Sequence, residues 1–192
     1  MGEGWITVAQ QPDGIAAGLS VIRDAAAAGG RSFDGPGGRP YTTMLTTGCV
    51  LRPGETVTDE RVVRRVGPVA VVGVHAMWEA ARGGHGFGMN NEAVASAYDT
   101  YIERYAAQRG SPRDRRYLDV HEGHMMYLKP GEDAFVPRDL IPLLSLTGDG
   151  GAVRERVKAL AAAGVDNLAI QAIPGMAREL IDEFAREVIG KV

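Results

Sequence analysis

Two of the four histidines in this 192-residue chain lie three positions apart, in the segment His121-Glu122-Gly123-His124. Imidazole titrates near neutral pH and binds metal ions, so the pair could act as a general acid or base or as metal ligands. The zinc-protease pattern needs histidines four apart on a helix. Here the spacing is three, a glycine interrupts it, and no further cysteine or histidine stands nearby in the sequence, although Asp119 and Glu122 could supply oxygen. We therefore expect no metal site. Pocket lining and loop support remain the two alternatives for the histidines.

The charge pattern argues against a nucleic-acid partner. The chain carries a net charge of −3, and its arginines are interspersed with acidic residues rather than arranged in a basic stripe. The triplets Arg61, Arg64, Arg65 and Arg113, Arg115, Arg116 have the spacing of solvated helix faces.

Membrane spanning and export have no support in the sequence. We find neither a run of about 18 apolar residues nor a leader with a cleavage site. Cys49 is the only cysteine, which excludes an internal disulfide and predicts a buried apolar side chain in a reducing compartment. We expect a cytoplasmic protein. No G-x-S-x-G nucleophile motif supports hydrolase chemistry.

Apolar runs separated by glycine and proline predict an α/β chain with parallel strands. Gly67-Pro68 is predicted to separate two helices, and 83–88, with His85, to form an exposed loop. Residues 146–149 are predicted to be a turn that caps the next helix. The predicted strands are 5–9, 41–51 and 167–173, and the predicted helices are 15–28, 58–66, 69–81, 91–108, 152–163 and 177–189.

Three segments in order carry a resemblance to a known family. They are GEGWITV near the start, TTGCVLRPGE in the middle, and TGDGGAVRERVKALAAAGVDNLAIQAIPG before the last helix. Together they resemble the C-terminal part of the luciferase-like monooxygenase superfamily, which includes methylenetetrahydromethanopterin reductases. Where the family has DGWI, Glu3 replaces the aspartate.

The resemblance implies one domain over 1–192, a partial TIM (β/α) barrel with a helical insertion at about 83–145. A complete eight-stranded barrel needs about 250 residues, so the first five strands would be missing. An open parallel sheet exposes strand edges and apolar faces. We therefore expect self-association, as a homodimer, unless the insertion supplies further strands.

The resemblance also implies the site and its chemistry. The expected function is a flavin- or deazaflavin-dependent oxidoreductase or monooxygenase acting on a small organic substrate, with FMN or coenzyme F420 as cofactor. An HxGH-like segment near the barrel mouth of some members would give His121 and His124 a catalytic position. Working groups of TIM barrels lie at the carboxyl ends of the strands, which selects Thr7, Thr46 and Gln171 for cofactor binding.

Two of these candidates have structural alternatives. Gln171 is a polar side chain in an apolar strand, so we expect it to hydrogen-bond either a ligand or a neighbouring strand. His75, in an apolar helix, would either contact the cofactor or be a satisfied core histidine.

Two other functions remain open from the sequence. One is a non-catalytic, self-associating half-barrel remnant that has lost its cofactor. The other is a metal-dependent hydrolase built on His121 and His124, which would require a stoichiometric metal.

Overall fold

The computed structural model of the chain describes residues 3–33, 38–81 and 100–192. The strands are β1 (Gly4–Thr7), β2 (Tyr41–Thr46), β3 (Gly48–Val50), β4 (Leu146–Gly148) and β5 (Asn167–Ile170). The α-helices are α1 (Pro12–Ala28), α2 (Glu60–Ala81), α3 (Arg116–His121), α4 (Ile141–Leu144), α5 (Gly150–Ala163) and α6 (Ala177–Glu187). A π-helical turn covers Tyr101–Tyr105, and short 3₁₀ turns cover Ala106–Arg109, Arg113–Arg115, Glu132–Phe135 and Arg138–Leu140.

The strands form two parallel sheets joined through one long strand segment. β2 lies between β1 and β5, with Ile6 beside Thr43 and Met44 beside Leu168. After Thr47 the same chain continues as β3, which pairs with β4. Within the described ranges these strands do not close into a barrel.

In the described part of the chain, helices cover one face of the three-stranded sheet, and apolar side chains are exposed on the other. Met44 is fully buried in a core with Ile15 of α1 and Leu160 of α5. On the opposite face, Ile6 is 68% exposed and Leu45 is 43% exposed. This exposure agrees with the open parallel sheet that the sequence predicted.

A second core lies around α2. Its valines pack against Ile141 of α4, Val136 and the rings of Tyr101 and Tyr105. Cys49 is fully buried here, as predicted, and burial raises the pKa of its thiol.

The prediction of two helices separated at Gly67-Pro68 is wrong, because α2 runs unbroken through Pro68. Proline removes one helical hydrogen bond, but Val66 and Ala70 on either side of it are buried in the second core. A Cβ on Gly67 would lie 3.1 Å from Leu128, so this glycine permits close packing.

The predicted turn at 146–149 is also wrong in its first part. Leu146–Gly148 is strand β4, held by hydrogen bonds from Leu146 N to Thr47 O (2.9 Å) and from Leu51 N to Gly148 O (2.9 Å). The capping role is confirmed for Asp149, whose carboxylate accepts from Ala152 N at 2.9 Å.

The expectation of a solvated face at the first arginine triplet is wrong for two of its members. Arg65 is 1% exposed and forms a buried ion pair with Glu183 of α6. Arg61 is also ion-paired with Glu183, at 2.7 Å, and with Glu55. Glu183, more than a hundred residues away in sequence, pairs with both arginines, which helical spacing alone could not predict.

Some predictions fall outside the described residues. These are the glycine-rich loop at 83–88, with His85, and the first half of the helix predicted at 91–108. Residues 101–108 of that helix lie in the π-helical turn and the 3₁₀ turn that follows it. Among the described helices, none has the length and apolar character needed to cross a membrane.

Candidate functional site

Polar side chains gather at the carboxyl ends of β1 and β2. Gln10 follows β1 and donates its amide to Leu45 O at 2.8 Å, while the Thr46 hydroxyl donates to Gln10 Oε1 at 2.7 Å. The Thr7 hydroxyl accepts from Ala9 N at 3.1 Å. These bonds fix the loop after β1 against the end of β2.

Gln171, just past β5, joins this edge to the histidine segment. Its backbone N–H donates to Thr46 O (2.8 Å), and its carbonyl accepts from the Thr47 hydroxyl (3.0 Å). Its side-chain Nε2 donates to Met125 O at 3.3 Å. Among the described residues, the side-chain amide therefore bonds the turn that contains His121 and His124 and not a neighbouring strand. The predicted bond to a ligand stays a prediction.

This turn, residues 121–127, is called the HEGH turn below. Helix α3 ends at His121, and the chain reverses with Gly123 at φ 74° and Met125 at φ 59°. A Cβ on Gly123 would lie 2.9 Å from Tyr127 O, and Met126 N donates to Gly123 O at 2.8 Å. A left-handed backbone at a non-glycine residue is uncommon and strained, so the turn is held by its surroundings.

The turn brings the two histidines together although their spacing is not that of the zinc-protease helix. Their Nδ1 atoms lie 3.4 Å apart. His75 of α2 completes a group of three, in which one nitrogen of each ring lies within 4.8 Å of the others. The ring centroid of His75 lies 5.5 Å from that of His121 and 6.2 Å from that of His124.

His75 is buried, His121 is half-buried and His124 is exposed. Burial, together with the charges of Lys129 and the two neighbouring histidines, lowers the pKa of His75 to about 3. Its imidazole is therefore neutral at physiological pH. Both of its ring nitrogens are buried without a hydrogen-bond partner among the described residues.

A buried polar group lies beside the histidines. Lys129 and Glu132 are each 2% exposed and form an ion pair at 3.0 Å. The Tyr101 hydroxyl donates to Glu132, and its ring lies 5.3 Å from that of His75. Burial raises the pKa of Tyr101 well above its usual range, and the bond to Glu132 raises it further.

A cavity lies at the opposite end of the sheet. It measures about 390 Å³, between the start of β1 and the end of α1, and is lined by Trp5, Ile22 and Phe33. This is the amino end of the sheet, and no histidine or carboxylate lines it. We place the candidate site at the carboxyl edge, where the polar groups and histidines are.

The predicted site residues thus form two groups that Gln171 connects. Thr7 and Thr46 stand at the strand ends, and His75 belongs with His121 and His124 rather than with the strand ends. The catalytic and cofactor-binding roles of these residues stay predictions.

The sequence does not show that a third histidine lies near the HEGH turn, because His75 is 46 residues before His121. Reasoning from sequence also missed the buried ion pair of Lys129 and Glu132. The sequence feature that could have indicated it is the spacing of three between opposite charges in an irregular segment.

Comparison with known proteins gives a structural relationship. No protein-family model matches the sequence, and no curated protein sequence matches it. Among solved structures, the coenzyme F420 dependent tetrahydromethanopterin reductase from Methanopyrus kandleri is similar, with a TM-score of 0.53 and 15% sequence identity. The match covers 98% of this chain and 45% of the reductase chain. The chain shares its fold with a little under half of that enzyme. Such a low identity shows a likeness of fold alone, over part of that enzyme.

Proposed function

We propose that the chain is the C-terminal part of a luciferase-like barrel and takes part in oxidoreduction of a small organic substrate with a deazaflavin, coenzyme F420, or with FMN. The observation that carries this proposal is the structural match to the F420 dependent reductase over 98% of the chain. The carboxyl edge of β1, β2 and β5 is the expected place of the site in a barrel of this type.

The residues at this edge suit a polar ligand in part. The Thr7 and Thr46 hydroxyls already form hydrogen bonds within the protein. Their role would therefore be to hold the loop after β1 in place. Gln171 uses its amide nitrogen for Met125, which leaves Oε1 as an acceptor. The bound cofactor would supply hydride transfer, and the protein would orient the substrate and exclude water.

The open face of the sheet requires a partner to enclose such a site. Ile6, Tyr41 and Leu45 are exposed on the face that helices do not cover, and parallel sheets are normally buried on both faces. We propose that a second copy of the chain covers this face in a homodimer. Light scattering after size exclusion tests this, because a monomer at micromolar concentration contradicts self-pairing.

Fluorescence titration tests the cofactor. Purified protein is added to coenzyme F420 and, separately, to FMN, and anisotropy is recorded. Saturable binding of one cofactor, weakened by Gln171→Ala and unchanged by Lys158→Ala on the outer surface of α5, supports the proposal. Absence of binding of both cofactors to a folded dimer contradicts it and leaves the non-catalytic remnant.

A further inference from the structure

The HEGH turn and α2 bring together three histidines in an arrangement that could hold a metal ion. We propose that His75, His121 and His124 bind one divalent transition-metal ion, preferentially Zn²⁺, with a fourth coordination position open to solvent. This inference does not depend on a flavin or deazaflavin cofactor.

The nitrogen separations support the proposal. Two imidazoles bound to one tetrahedral zinc, with Zn–N bonds of about 2.0–2.1 Å, place their nitrogens about 3.3–3.4 Å apart. The Nδ1 atoms of His121 and His124 are 3.4 Å apart. His75 brings the third nitrogen to within 4.8 Å of both, so a shift of about 1 Å completes the set.

The burial of His75 is a second and independent observation. Its side chain is 2% exposed, and neither ring nitrogen has a hydrogen-bond partner among the described residues. A buried polar group without a partner costs about 1–3 kcal/mol. Coordination of a metal would satisfy one of these nitrogens.

The surrounding charges permit a cation. The charge of Lys129 acts on His75, and the carboxylate of Glu132 neutralises this ammonium at 3.0 Å. The carboxylate of Glu122 forms an ion pair with Arg109 at 2.5 Å and does not belong to the group of candidate metal ligands. A purely imidazole donor set favours zinc and similar borderline metals over Mg²⁺ or Ca²⁺.

The ion would fasten the HEGH turn to α2. It would join His75, which is buried beside Tyr101 of the second core, to a turn whose backbone is strained at Met125. Exposed His124 gives a path for metal entry, and three protein ligands leave one position for water or a substrate atom.

Metal titration tests the inference directly. The protein is stripped with a chelator, dialysed, and titrated with Zn²⁺ by calorimetry. We expect one ion per chain and a rise in melting temperature on binding. His124→Ala changes an exposed position and His121→Ala a half-buried one. Both variants should fold and should weaken binding at least about tenfold. Glu122→Gln, in the same turn, is the matched control and should retain the affinity.

A second experiment tests whether position 75 supplies a metal ligand, by exchanging one ligand type for another instead of deleting it. With Co²⁺ as the probe, His75→Cys should add a thiolate-to-cobalt charge-transfer band that the unmodified protein lacks. Tetrahedral d–d absorption in the unmodified protein is the expected starting spectrum. The inference is overturned if Zn²⁺ does not bind at 1:1, if His124→Ala binds as well as Glu122→Gln, or if His75→Cys adds no band in a folded protein.

Discussion

Replacing Glu183 with glutamine should strongly destabilise the fold. Glu183 is 3% exposed and neutralises Arg65, which is 1% exposed, and Arg61 at 2.7 Å. Removing one member of a buried ion pair costs about 3–5 kcal/mol, because the other charge stays buried without compensation. Glu179 also contacts Arg65, at 2.7 Å, so part of the compensation remains and we expect the lower limit, about 3 kcal/mol.

For a chain of this length, 3 kcal/mol lowers the melting temperature by about 6–12 °C. Calorimetry or circular dichroism on heating measures the change. Asp182→Asn is the matched control, since Asp182 is the next residue on α6 and its side chain is 64% exposed near Arg178; it should cost less than about 1 kcal/mol. Equal melting temperatures for Glu183→Gln and Asp182→Asn would refute the reasoning.

Three further changes test other parts of the structure. Gly48→Ala places a Cβ 2.7 Å from Leu146 O and should cost about 1–3 kcal/mol in urea unfolding by forcing β3 from β4; an unchanged midpoint would contradict this packing. The hydrogen bond from Arg61 lowers the pKa of Glu55 from 4.5 to about 2, so its stabilisation is present above its unfolded pKa and lost as the pH falls towards 2. The unmodified protein should therefore exceed Glu55→Gln in stability at neutral pH, and the difference should shrink on acidification; a difference independent of pH would argue against the ion pair. Gln171→Ala removes the bond that holds the HEGH turn and should speed amide hydrogen exchange there, whereas exchange in α5 should not change.

Local patterns predict much of the fold. The β-branched run at 41–51 correctly predicts β2 and β3, interrupted only at Thr47. At α5, Asp149 caps the start, and Gly164 ends the helix with φ 112°. These features depend on neighbours within a few residues, and so the sequence contains them directly.

The remaining features depend on contacts between distant segments. Pro68 stays within α2 because of packing that a sequence pattern does not describe, and β4 is strand only because β3 lies beside it. His75 and His121 come together from different elements, so their spacing in sequence carries no signal. The spacing of three in the HEGH segment argued against a metal only for a continuous helix, and here α3 ends at His121.

Native mass spectrometry of the protein incubated with coenzyme F420 tests the central claim most directly, because one spectrum reports both the number of chains and the bound cofactor. The partial barrel with its uncovered sheet face predicts a dimer that carries coenzyme F420 or, in a parallel sample, FMN. A folded monomer without either cofactor would contradict the claim.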